Sequence, residues 1–257
     1  MLQIIQNLQT GTTSLIEVPC PLPQKGQILI KSHFSLMSLG TERMLVEFGK
    51  ASWIDKAKQQ PDKVKQVLQK IKADGLGPTI GVIKRKLDTP IALGYSNVGE
   101  VIGVGEDVIE FKIGDRVVSN GPHAEFVCVP QNLVAKIPER VSYESASFTI
   151  IGAIGLQGIR LLNPTFGETI VVIGLGLIGM ITCQLLKANG CKVIGFDLDP
   201  DKIKLAQSLG VSAFILEQSN DRISLIENLT LRLGADGVII TANSKSNDII
   251  HEAAQMC

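Results

Sequence analysis

The sequence shows no excess of charge of either sign. Its 257 residues hold 25 Lys and Arg against 25 Asp and Glu, so the formal net charge at pH 7 is zero. Because a nucleic-acid-binding protein usually carries a basic excess, we expect no nucleic-acid partner. Hydrophobic residues make up 45% of the chain and charged residues 19%, proportions typical of a folded globular protein rather than a disordered one.

Cysteines are few, and long apolar runs are missing. The five cysteines are odd in number and form no C-x-x-C pair, which argues against a disulfide framework and a zinc knuckle. The longest mostly apolar run, Ile170–Cys183, is shorter than the roughly 20 residues that a membrane-spanning helix needs, and glycines interrupt it. The N-terminus lacks the charged start and apolar core of a signal peptide. We therefore expect a cytoplasmic protein with no membrane span.

The segment Thr169–Asp197 holds the clearest chemical motif. A β-branched run leads into a G-x-G-x-x-G turn, a helix-like stretch follows, and a second apolar run ends at Asp197. In such a unit Gly174 permits the tight turn, Gly176 lets the backbone approach a pyrophosphate, and Gly179 lets the helix pack close to the strand. The start of the helix offers free N–H groups to the phosphates. This order predicts a dinucleotide site, and the alternative is a glycine-rich turn in an ordinary βαβ unit.

The acid at the end of the second strand indicates which dinucleotide is bound. A carboxylate at Asp197 accepts hydrogen bonds from the ribose hydroxyls of NAD and repels the extra phosphate of NADP, which usually calls for a nearby Arg. Residues 198–202 contain two more acids and no Arg, and Lys202 can reach a ribose hydroxyl. NAD is therefore the predicted cofactor. The predicted cofactor-binding residues are Gly174, Gly176, Leu177, Ile178, Gly179, Asp197, Lys202, Thr241 and Ala242.

The pattern of elements changes near residue 154. Before that point short strands alternate with turns, and the predicted strands are Gln27–His33, Val98–Val104, Asp115–Ser119 and Ala124–Val129. After it strands and helices alternate, as a parallel sheet requires. The predicted strands there are Ile170–Ile173, Lys192–Phe196, Ala213–Leu216 and Gly237–Thr241, and the predicted helices are Leu177–Asn189, Pro200–Leu209, Asp221–Leu233 and Asn247–Gln255. A β-rich, barrel-like domain over residues 1–154 is expected to precede an α/β domain over residues 155–257.

A basic, helix-like segment interrupts the first domain at about residues 50–88. From Lys50 to Lys86 it carries ten Lys and Arg against three Asp, a local net charge of +7 (10 − 3). Within Pro61–Ala73 four apolar residues fall on one helical face: Val64, Val67, Leu68 and Ile71. One interpretation is a basic flap that attracts an anionic substrate or packs on a partner. The other is an amphipathic helix whose lysine face is simply solvated.

Short motifs follow one another along the whole chain: Pro19-Cys-Pro21, Leu93–Val101, Val104-Gly-Glu106, Gly114–Val117, Ala124-Glu-Phe126 and the cofactor unit. With them the chain resembles the medium-chain dehydrogenase/reductases, the zinc-type alcohol dehydrogenase superfamily. The resemblance implies a GroES-like β-barrel catalytic domain followed by a Rossmann NAD-binding domain, a doubly wound parallel sheet. The family uses six strands in the order 3-2-1-4-5-6, and this sequence supplies four. We therefore expect an incomplete Rossmann sheet, in a fragment or a truncated gene product.

Two further stretches resemble one branch of that superfamily. They are Ser38–Glu42 and Lys63–Leu68, the latter followed by Leu93-Gly-Tyr-Ser96. They look like the bacterial branch found beside, or fused to, sugar-dehydrogenase-like oxidoreductases of polysaccharide gene clusters, to which the bacteriochlorophyllide dehydrogenases are related. This resemblance implies association with a sugar-dehydrogenase-like domain or a homo-oligomer.

The departures from the zinc-type pattern predict that metal is absent. The family binds a catalytic zinc through a Cys, the His of a Gly-His-Glu and a further Cys or Glu, and this open site polarises the substrate oxygen. The corresponding positions here fall on Ser38, on Tyr95 and near Ile151, which are very poor zinc ligands. An alternative set, His33, His123 and Cys128, shows no ligand spacing.

Without zinc, hydroxyl groups at the former ligand positions are the candidates for catalysis. The phenol of Tyr95 or the hydroxyl of Ser38 can donate a hydrogen bond to a carbonyl or relay a proton. Thr41 falls where many relatives carry an acid, and Glu42 can orient a neighbour or bind a sugar hydroxyl. Tyr95 could equally be an aromatic ring that fills the vacated metal site. His123 is a weaker candidate, because a loop histidine without a partner is usually structural.

These observations favour an NAD-dependent, zinc-independent oxidoreductase that acts on a hydroxyl or carbonyl group of a small molecule, such as a sugar or sugar nucleotide. The alternatives are a catalytically silent dinucleotide-binding module of a bidomain protein and an NADPH-dependent enzyme like the quinone reductases. Asp197 disfavours the last of these because its charge repels the extra phosphate of NADPH.

Overall fold

The computed structural model describes residues 1–59, 62, 64–65, 69, 85, 87–215, 222–244 and 247–257. The chain divides into two compact units, Met1–Ile150 and Ile151–Cys257. The domain boundary predicted at residues 154/155 falls in the same helix as the observed division, Thr149–Leu162. Most residues of the helix predicted over Pro61–Ala73, and most of the basic insertion, lie outside the described residues.

Antiparallel strands dominate the first unit. They are β1 (Leu2–Gln6), β2 (Thr13–Glu17), β3 (Gln27–Ser35), β4 (Ile91–Ala92), β5 (Asn97–Val104), β6 (Arg116–Ser119), β7 (Phe126–Pro130) and β8 (Val134–Lys136). One sheet has the order β2-β1-β4 and the other β7-β3-β5-β6-β8. The four strands predicted in this half correspond to β3, β5, β6 and β7. Alternating residues of these strands, such as Ile28 and Ile30, are fully buried and form the core of the larger sheet.

Among the described residues, two helices follow β3, α1 (Leu39–Lys50) and α2 (Trp53–Gln59). A 3-10 turn at Gln131–Leu133 lies between β7 and β8, and the short helix α3 (Tyr143–Ala146) follows β8. The sequence pattern did not predict α1. Buried Lys56 ties α2 to the turn between β1 and β2, because its Nζ donates a 2.7 Å hydrogen bond to the carbonyl oxygen of Leu8.

The second unit is a four-stranded parallel sheet with helices on both faces. Its strands are β9 (Thr169–Ile173), β10 (Lys192–Asp197), β11 (Ser212–Ile215) and β12 (Gly237–Ile240), and its helices are α4 (Thr149–Leu162), α5 (Leu177–Ala188), α6 (Pro200–Ser208), α7 (Arg222–Leu229) and α8 (Asp248–Gln255). The strand order β11-β10-β9-β12, with every pairing parallel, is 3-2-1-4 in chain order. This is the Rossmann arrangement that the resemblance implied.

The central strand β9 is buried on both faces. Ile170 and Val172 belong to one apolar cluster, which includes residues of α5 and α6, while Val171 and Ile173 belong to a second cluster with residues of α7 and α8. A continuous apolar run is what a strand needs when helices cover both sides of its sheet. The run Ile170–Ile173 was therefore a reliable signal for this strand.

Two features of the helices differ from expectation. The helix predicted over Asp221–Leu233 ends at Leu229, because Leu231 and Arg232 adopt left-handed backbone angles of +56° and +65°. The segment Tyr143–Leu162 is apolar and long enough to cross a membrane by length and composition alone. A single stretch of this kind is weak evidence, since core helices of globular proteins meet the same measure.

Candidate functional site

The turn between β9 and α5 leaves no room for side chains at two of its three glycines. Gly174 has a φ of +98°, and a Cβ there would lie 2.6 Å from the amide nitrogen of Ala242. A Cβ on Gly179 would lie 1.9 Å from the carbonyl oxygen of Gly174. A left-handed first glycine and a third glycine in contact with the turn are the geometry that the sequence motif requires.

The middle glycine of the turn faces open space. Gly176 is the N-cap of α5, and no atom outside its chain neighbours lies within 4 Å of a Cβ built on it. The first backbone bond of α5 runs 2.8 Å from the amide of Met180 to the carbonyl oxygen of Gly176. The amides of Leu177 and Ile178 therefore have no acceptor inside the helix. Open backbone and free amides at the positive end of the helix dipole suit a pyrophosphate.

Asp197 ends β10 beside this turn, with 10% of its side chain exposed. Its Oδ2 accepts a 2.6 Å hydrogen bond from the amide of Leu175, and its Oδ1 accepts one of 2.9 Å from the amide of Asp199. Lys202 Nζ lies 3.4 Å from the same Oδ1. The two amides fix the carboxylate against the turn, and Oδ2, which accepts one hydrogen bond, keeps a lone pair that a ribose hydroxyl could use.

Thr241 and Ala242 follow β12 and close over the glycine turn. Thr241 Oγ1 donates a 2.5 Å hydrogen bond to the carbonyl oxygen of Gly174. The amides of Thr241 and Ala242 both donate to the carbonyl oxygen of Ile173, at 2.8 and 3.0 Å. All of the predicted cofactor-binding residues thus gather around the carboxyl ends of β9, β10 and β12. Ligands of open α/β sheets bind at this edge.

A buried thiol lies in the middle of α5. Cys183 is fully buried, and this burial raises the pKa of its thiol to about 12. At neutral pH the side chain is therefore an uncharged thiol, and it packs in the apolar cluster beneath the glycine turn.

In the first unit, Ser38 and Glu42 meet at the start of α1. Ser38 is the N-cap of this helix but its side chain makes no capping hydrogen bond. Instead the carboxylate of Glu42 reaches back, and its Oε1 accepts a 2.8 Å hydrogen bond from the amide of Ser38. Both residues are buried, with 4% and 5% of their surface exposed. The backbone of Ser38 and the side chain of Glu42 thereby define how α1 begins.

Tyr95 and Thr41 form a second contact next to the first. The phenol oxygen of Tyr95 lies 3.4 Å from Thr41 Oγ1, a long hydrogen bond, and both side chains are partly exposed. The structure thus joins the four predicted catalytic residues in two pairs. The pairs are linked through the chain, because Thr41 precedes Glu42.

His123, treated as a loop histidine without a partner, has two partners. Its Nε2 lies 2.9 Å from Glu42 Oε2, and its Nδ1 lies 2.7 Å from Ser35 Oγ. Its ring packs on the backbone of Gly94, where a Cβ would lie 2.7 Å from the imidazole. Residues 42 and 123 are 81 positions apart in sequence, so no local pattern indicated this contact.

The residues at the family's zinc positions do not fit zinc. Ser38 and Tyr95 offer only hydroxyl groups, and fully buried Ile151 offers no ligand atom. Within the part of the chain that the structure describes, no three His, Cys, Asp or Glu side chains form a group able to hold a metal ion. The alternative set with His33 is not such a group either, since the ring of His33 stacks on Tyr143 at a centroid distance of 4.7 Å.

Two known protein families match consecutive parts of the sequence. Residues 63–139 match the alcohol dehydrogenase GroES-like domain, and residues 178–257 match the zinc-binding dehydrogenase family. The two matches together cover more than half of the chain, and they fall in the β-rich unit and the parallel-sheet unit respectively.

Two curated dehydrogenases are similar to this chain in sequence. D-guloside 3-dehydrogenase of Escherichia coli (strain K12) is 33% identical over 154 residues, which are 58% of this chain and 44% of that protein. (R,R)-butanediol dehydrogenase of Bacillus subtilis (strain 168) is 27% identical over 169 residues, 55% of this chain and 49% of that protein. The matches therefore span about half the length of these curated relatives.

A solved structure shows the same fold. An alcohol dehydrogenase from Thermus sp. ATN1 superposes with a TM-score of 0.76 over 100% of this chain and 74% of that one, at 20% sequence identity. The fold, the two family matches and the curated relatives agree. The chain belongs to the medium-chain dehydrogenase/reductase superfamily, whose members include the zinc-type alcohol dehydrogenases.

Proposed function

We propose that this chain is an oxidoreductase that moves a hydride between NAD and a hydroxyl- or carbonyl-bearing carbon of a small molecule, without a zinc ion. The observation that carries the proposal is the position of Asp197. Its carboxylate is hydrogen-bonded to the amide of Leu175 inside the glycine turn, beside the open backbone of Gly176. A ribose and a pyrophosphate need these two groups side by side.

NAD is favoured over NADP by charge. An NADP phosphate would add negative charge beside Asp197 and Asp199, and Lys202 is already within 3.4 Å of Asp197 and 3.7 Å of Asp199. When NAD is bound, it supplies the hydride acceptor. The protein supplies the phosphate cradle and the carboxylate that orients the adenine-side ribose.

The substrate class that we assign is a polyol, sugar or sugar nucleotide. The two curated relatives are named for a diol and for a guloside. In place of a metal, the phenol of Tyr95 would donate a hydrogen bond to the substrate oxygen, with Thr41 Oγ1 as its neighbour. Association with a sugar-dehydrogenase-like domain or with a second copy of the chain belongs to the same proposal.

Cofactor titration tests the first part of the proposal. The fluorescence of NADH and NADPH is followed as each binds to the protein, and NADH should bind at least ~10-fold more tightly, a difference of about 1.4 kcal/mol. Asp197→Asn keeps an acceptor but removes the charge, so the preference should shrink. Asp201→Asn is the matched control, because it removes the same charge from a side chain that is 89% exposed. Equal or tighter NADPH binding by the unmutated protein would reject the NAD assignment.

A turnover screen tests the second part. NAD⁺ reduction is followed at 340 nm with four-carbon to six-carbon polyols, free sugars and uridine-diphosphate sugars. Turnover of any of these supports an enzyme. Tight NADH binding with no turnover of any of them would instead identify a catalytically silent dinucleotide-binding module.

A further inference from the structure

A three-residue chain of hydrogen bonds runs from the protein surface into the first unit. Ser35 is exposed, and its Oγ lies 2.7 Å from His123 Nδ1. His123 Nε2 lies 2.9 Å from Glu42 Oε2, and both side chains are only 7% exposed. The other carboxylate oxygen of Glu42 accepts the 2.8 Å hydrogen bond of the Ser38 amide. A surface hydroxyl is thus connected to a buried imidazole–carboxylate pair.

The chemistry of the partners assigns the direction of each bond. An ionised carboxylate can only accept, so His123 Nε2 carries the proton that it donates to Glu42. In the neutral imidazole Nδ1 is then the acceptor, and the hydroxyl group of Ser35 donates a hydrogen bond to it. The lone pairs of Ser35 Oγ are consequently left free to accept a proton from outside. A hydroxyl polarised in this way can pass its own proton inward while it takes up another.

The backbone holds the imidazole in this position. The amide of His123 donates a 2.7 Å hydrogen bond to the carbonyl oxygen of Leu93, and its carbonyl oxygen accepts a 2.9 Å bond from the amide of Ile4. Gly94 has no side chain, so the ring packs directly on its backbone. The next residue is Tyr95, and Glu42 follows Thr41. The chain Ser35–His123–Glu42 therefore lies beside the Tyr95–Thr41 pair.

We propose that Ser35, His123 and Glu42 form the proton relay of the oxidoreductase, with Ser35 as the group that contacts the substrate hydroxyl. This inference rests on the proposed function. In alcohol oxidation the C–H bond breaks and its electron pair leaves as hydride to the oxidised nicotinamide. The O–H bond of the substrate breaks as its proton passes to Ser35 Oγ, while the Ser35 proton passes to His123 Nδ1. A carbonyl forms, and the reduction of a carbonyl reverses these transfers.

The carboxylate of Glu42 gives the relay its capacity to hold a proton. When His123 accepts the proton it becomes an imidazolium, and the adjacent carboxylate balances that charge in a site shielded from water. Release to solvent then runs back through exposed Ser35. A zinc ion in the related enzymes lowers the energy of the substrate oxyanion. Here His123 acts as a base that removes the proton, which likewise keeps negative charge from building up on the substrate oxygen.

Nuclear magnetic resonance tests the relay without substrate or cofactor. The chain has three histidines, so long-range ¹H–¹⁵N correlations can be assigned with the variants H33Q, H123Q and H251Q. The neutral ring of His123 should carry its proton on Nε2. Ser35→Ala should shift the Nδ1 resonance, because it removes the donor. A neutral ring that carries its proton on Nδ1, or an Nδ1 resonance unchanged in S35A, would overturn the proposal.

Steady-state kinetics test the role of the relay in turnover, with an alcohol from the screen above. Ser35→Ala and His123→Gln should each lower kcat about 100-fold and change KM less than about threefold, because general acid–base groups contribute on the order of 10²–10⁴-fold. His123→Gln keeps a donor and an acceptor but holds no proton. Both variants should also lose the solvent deuterium isotope effect on kcat. His251→Gln, an exposed histidine on α8, should behave as the unmutated protein.

The outcomes separate the relay from the function on which it rests. Turnover that survives in S35A with unchanged kcat rejects the relay and leaves the oxidoreductase standing. A negative screen rejects the oxidoreductase and the relay with it. A burst of nitrophenolate from p-nitrophenyl acetate that is lost in S35A would identify Ser35 as an acyl-accepting nucleophile, and would overturn the proton relay.

Discussion

Gly179 packs so closely on Gly174 that a methyl group on the first would lie 1.9 Å from the carbonyl oxygen of the second. The obstacle is backbone in a turn whose own φ is +98°, so it cannot move aside cheaply. We expect Gly179→Ala to lower the free energy of unfolding by on the order of 3 kcal/mol, as overpacking of a tight core contact does. Urea titration followed by circular dichroism measures this loss.

Gly176→Ala is the matched control for that variant. A Cβ at this N-cap meets nothing within 4 Å, so the stability loss should stay below about 1 kcal/mol. NADH binding should nevertheless weaken about 10-fold or more, because the methyl group occupies the space that a pyrophosphate would approach. Loss of stability without loss of binding would assign Gly176 a purely structural role.

Cys183 should be unreactive in the folded protein. Its thiol is fully buried and burial raises its pKa to about 12, so at pH 8 almost no thiolate is present. Cys20 and Cys257 are exposed and should be alkylated by iodoacetamide. Mass spectrometry of peptides from native and urea-unfolded protein compares the sites. Labelling of native Cys183 at the rate of Cys20 would contradict the buried position of α5.

Local patterns predicted the second unit well because its constraints are local. The apolar run Ile170–Ile173 is buried on both faces of the sheet, and the contact between Gly174 and Gly179 joins residues five positions apart. The helices that follow β9 and β10 begin at the predicted residues, Leu177 and Pro200, and each ends one residue before its predicted end. A motif whose geometry is set within one turn of chain can be read from sequence.

The contacts among the candidate catalytic residues could be predicted only in part. Thr41 and Glu42 were identified through a resemblance, but the partner of Glu42 is His123, 81 residues away. Tyr95 and Thr41 are separated by 54 residues. Contacts of this range depend on how β3, α1 and the turns around the sheet pack. Strand β1 was missed for a different reason: four of its five residues remain partly or fully exposed, and its apolar pattern is weak.

We expect the purified protein to contain less than about 0.1 zinc ion per chain. A tight structural or catalytic zinc site survives dialysis, but Ser38, Tyr95 and Ile151 provide no thiolate, imidazole or carboxylate ligand. Elemental analysis after dialysis gives the zinc content, and thermal melts with and without a chelator test any structural role. About one zinc per chain, or a melting temperature lowered by the chelator, would contradict this prediction.

Asp115 should stabilise the folded state of the first unit at neutral pH and should lose this effect in acid. Its Oδ2 lies 2.9 Å from Lys136 Nζ and accepts a 3.0 Å hydrogen bond from the amide of Lys112. The bond from Lys136 is the main cause that lowers the pKa of Asp115 below its ordinary value of 3.8. A carboxyl group whose pKa is lower in the folded than in the unfolded state stabilises the folded state at pH values above its unfolded-state pKa. The contribution is therefore full above about pH 4 and is lost as the pH falls through the folded pKa.

Thermal melts of Asp115→Asn test that pH dependence. The variant should be less stable at pH 7 by about 0.5–1 kcal/mol, the size expected for a partly exposed ion pair, and the difference should vanish near pH 2. Asp201→Asn removes the same charge from an exposed pair with Lys204 and should show a smaller change. A stability difference for Asp115→Asn that is constant from pH 7 to pH 2 would show that charge is not its cause.

Tyr95→Phe distinguishes a phenol that takes part in the reaction from a ring that fills space. If the hydroxyl donates to the substrate oxygen, its removal should lower kcat about 100-fold and leave NADH affinity within about twofold, because the predicted cofactor-binding residues lie in the other unit. The melting temperature should change little, since the lost bond to Thr41 is long at 3.4 Å.

The other tyrosine is the control. Tyr143→Phe keeps the ring that stacks on His33 and lies 4.5 Å from the Arg116 guanidinium, so turnover should be unchanged. Full activity in Tyr95→Phe would assign Tyr95 to packing and leave the Ser35–His123–Glu42 chain as the remaining candidate for proton transfer.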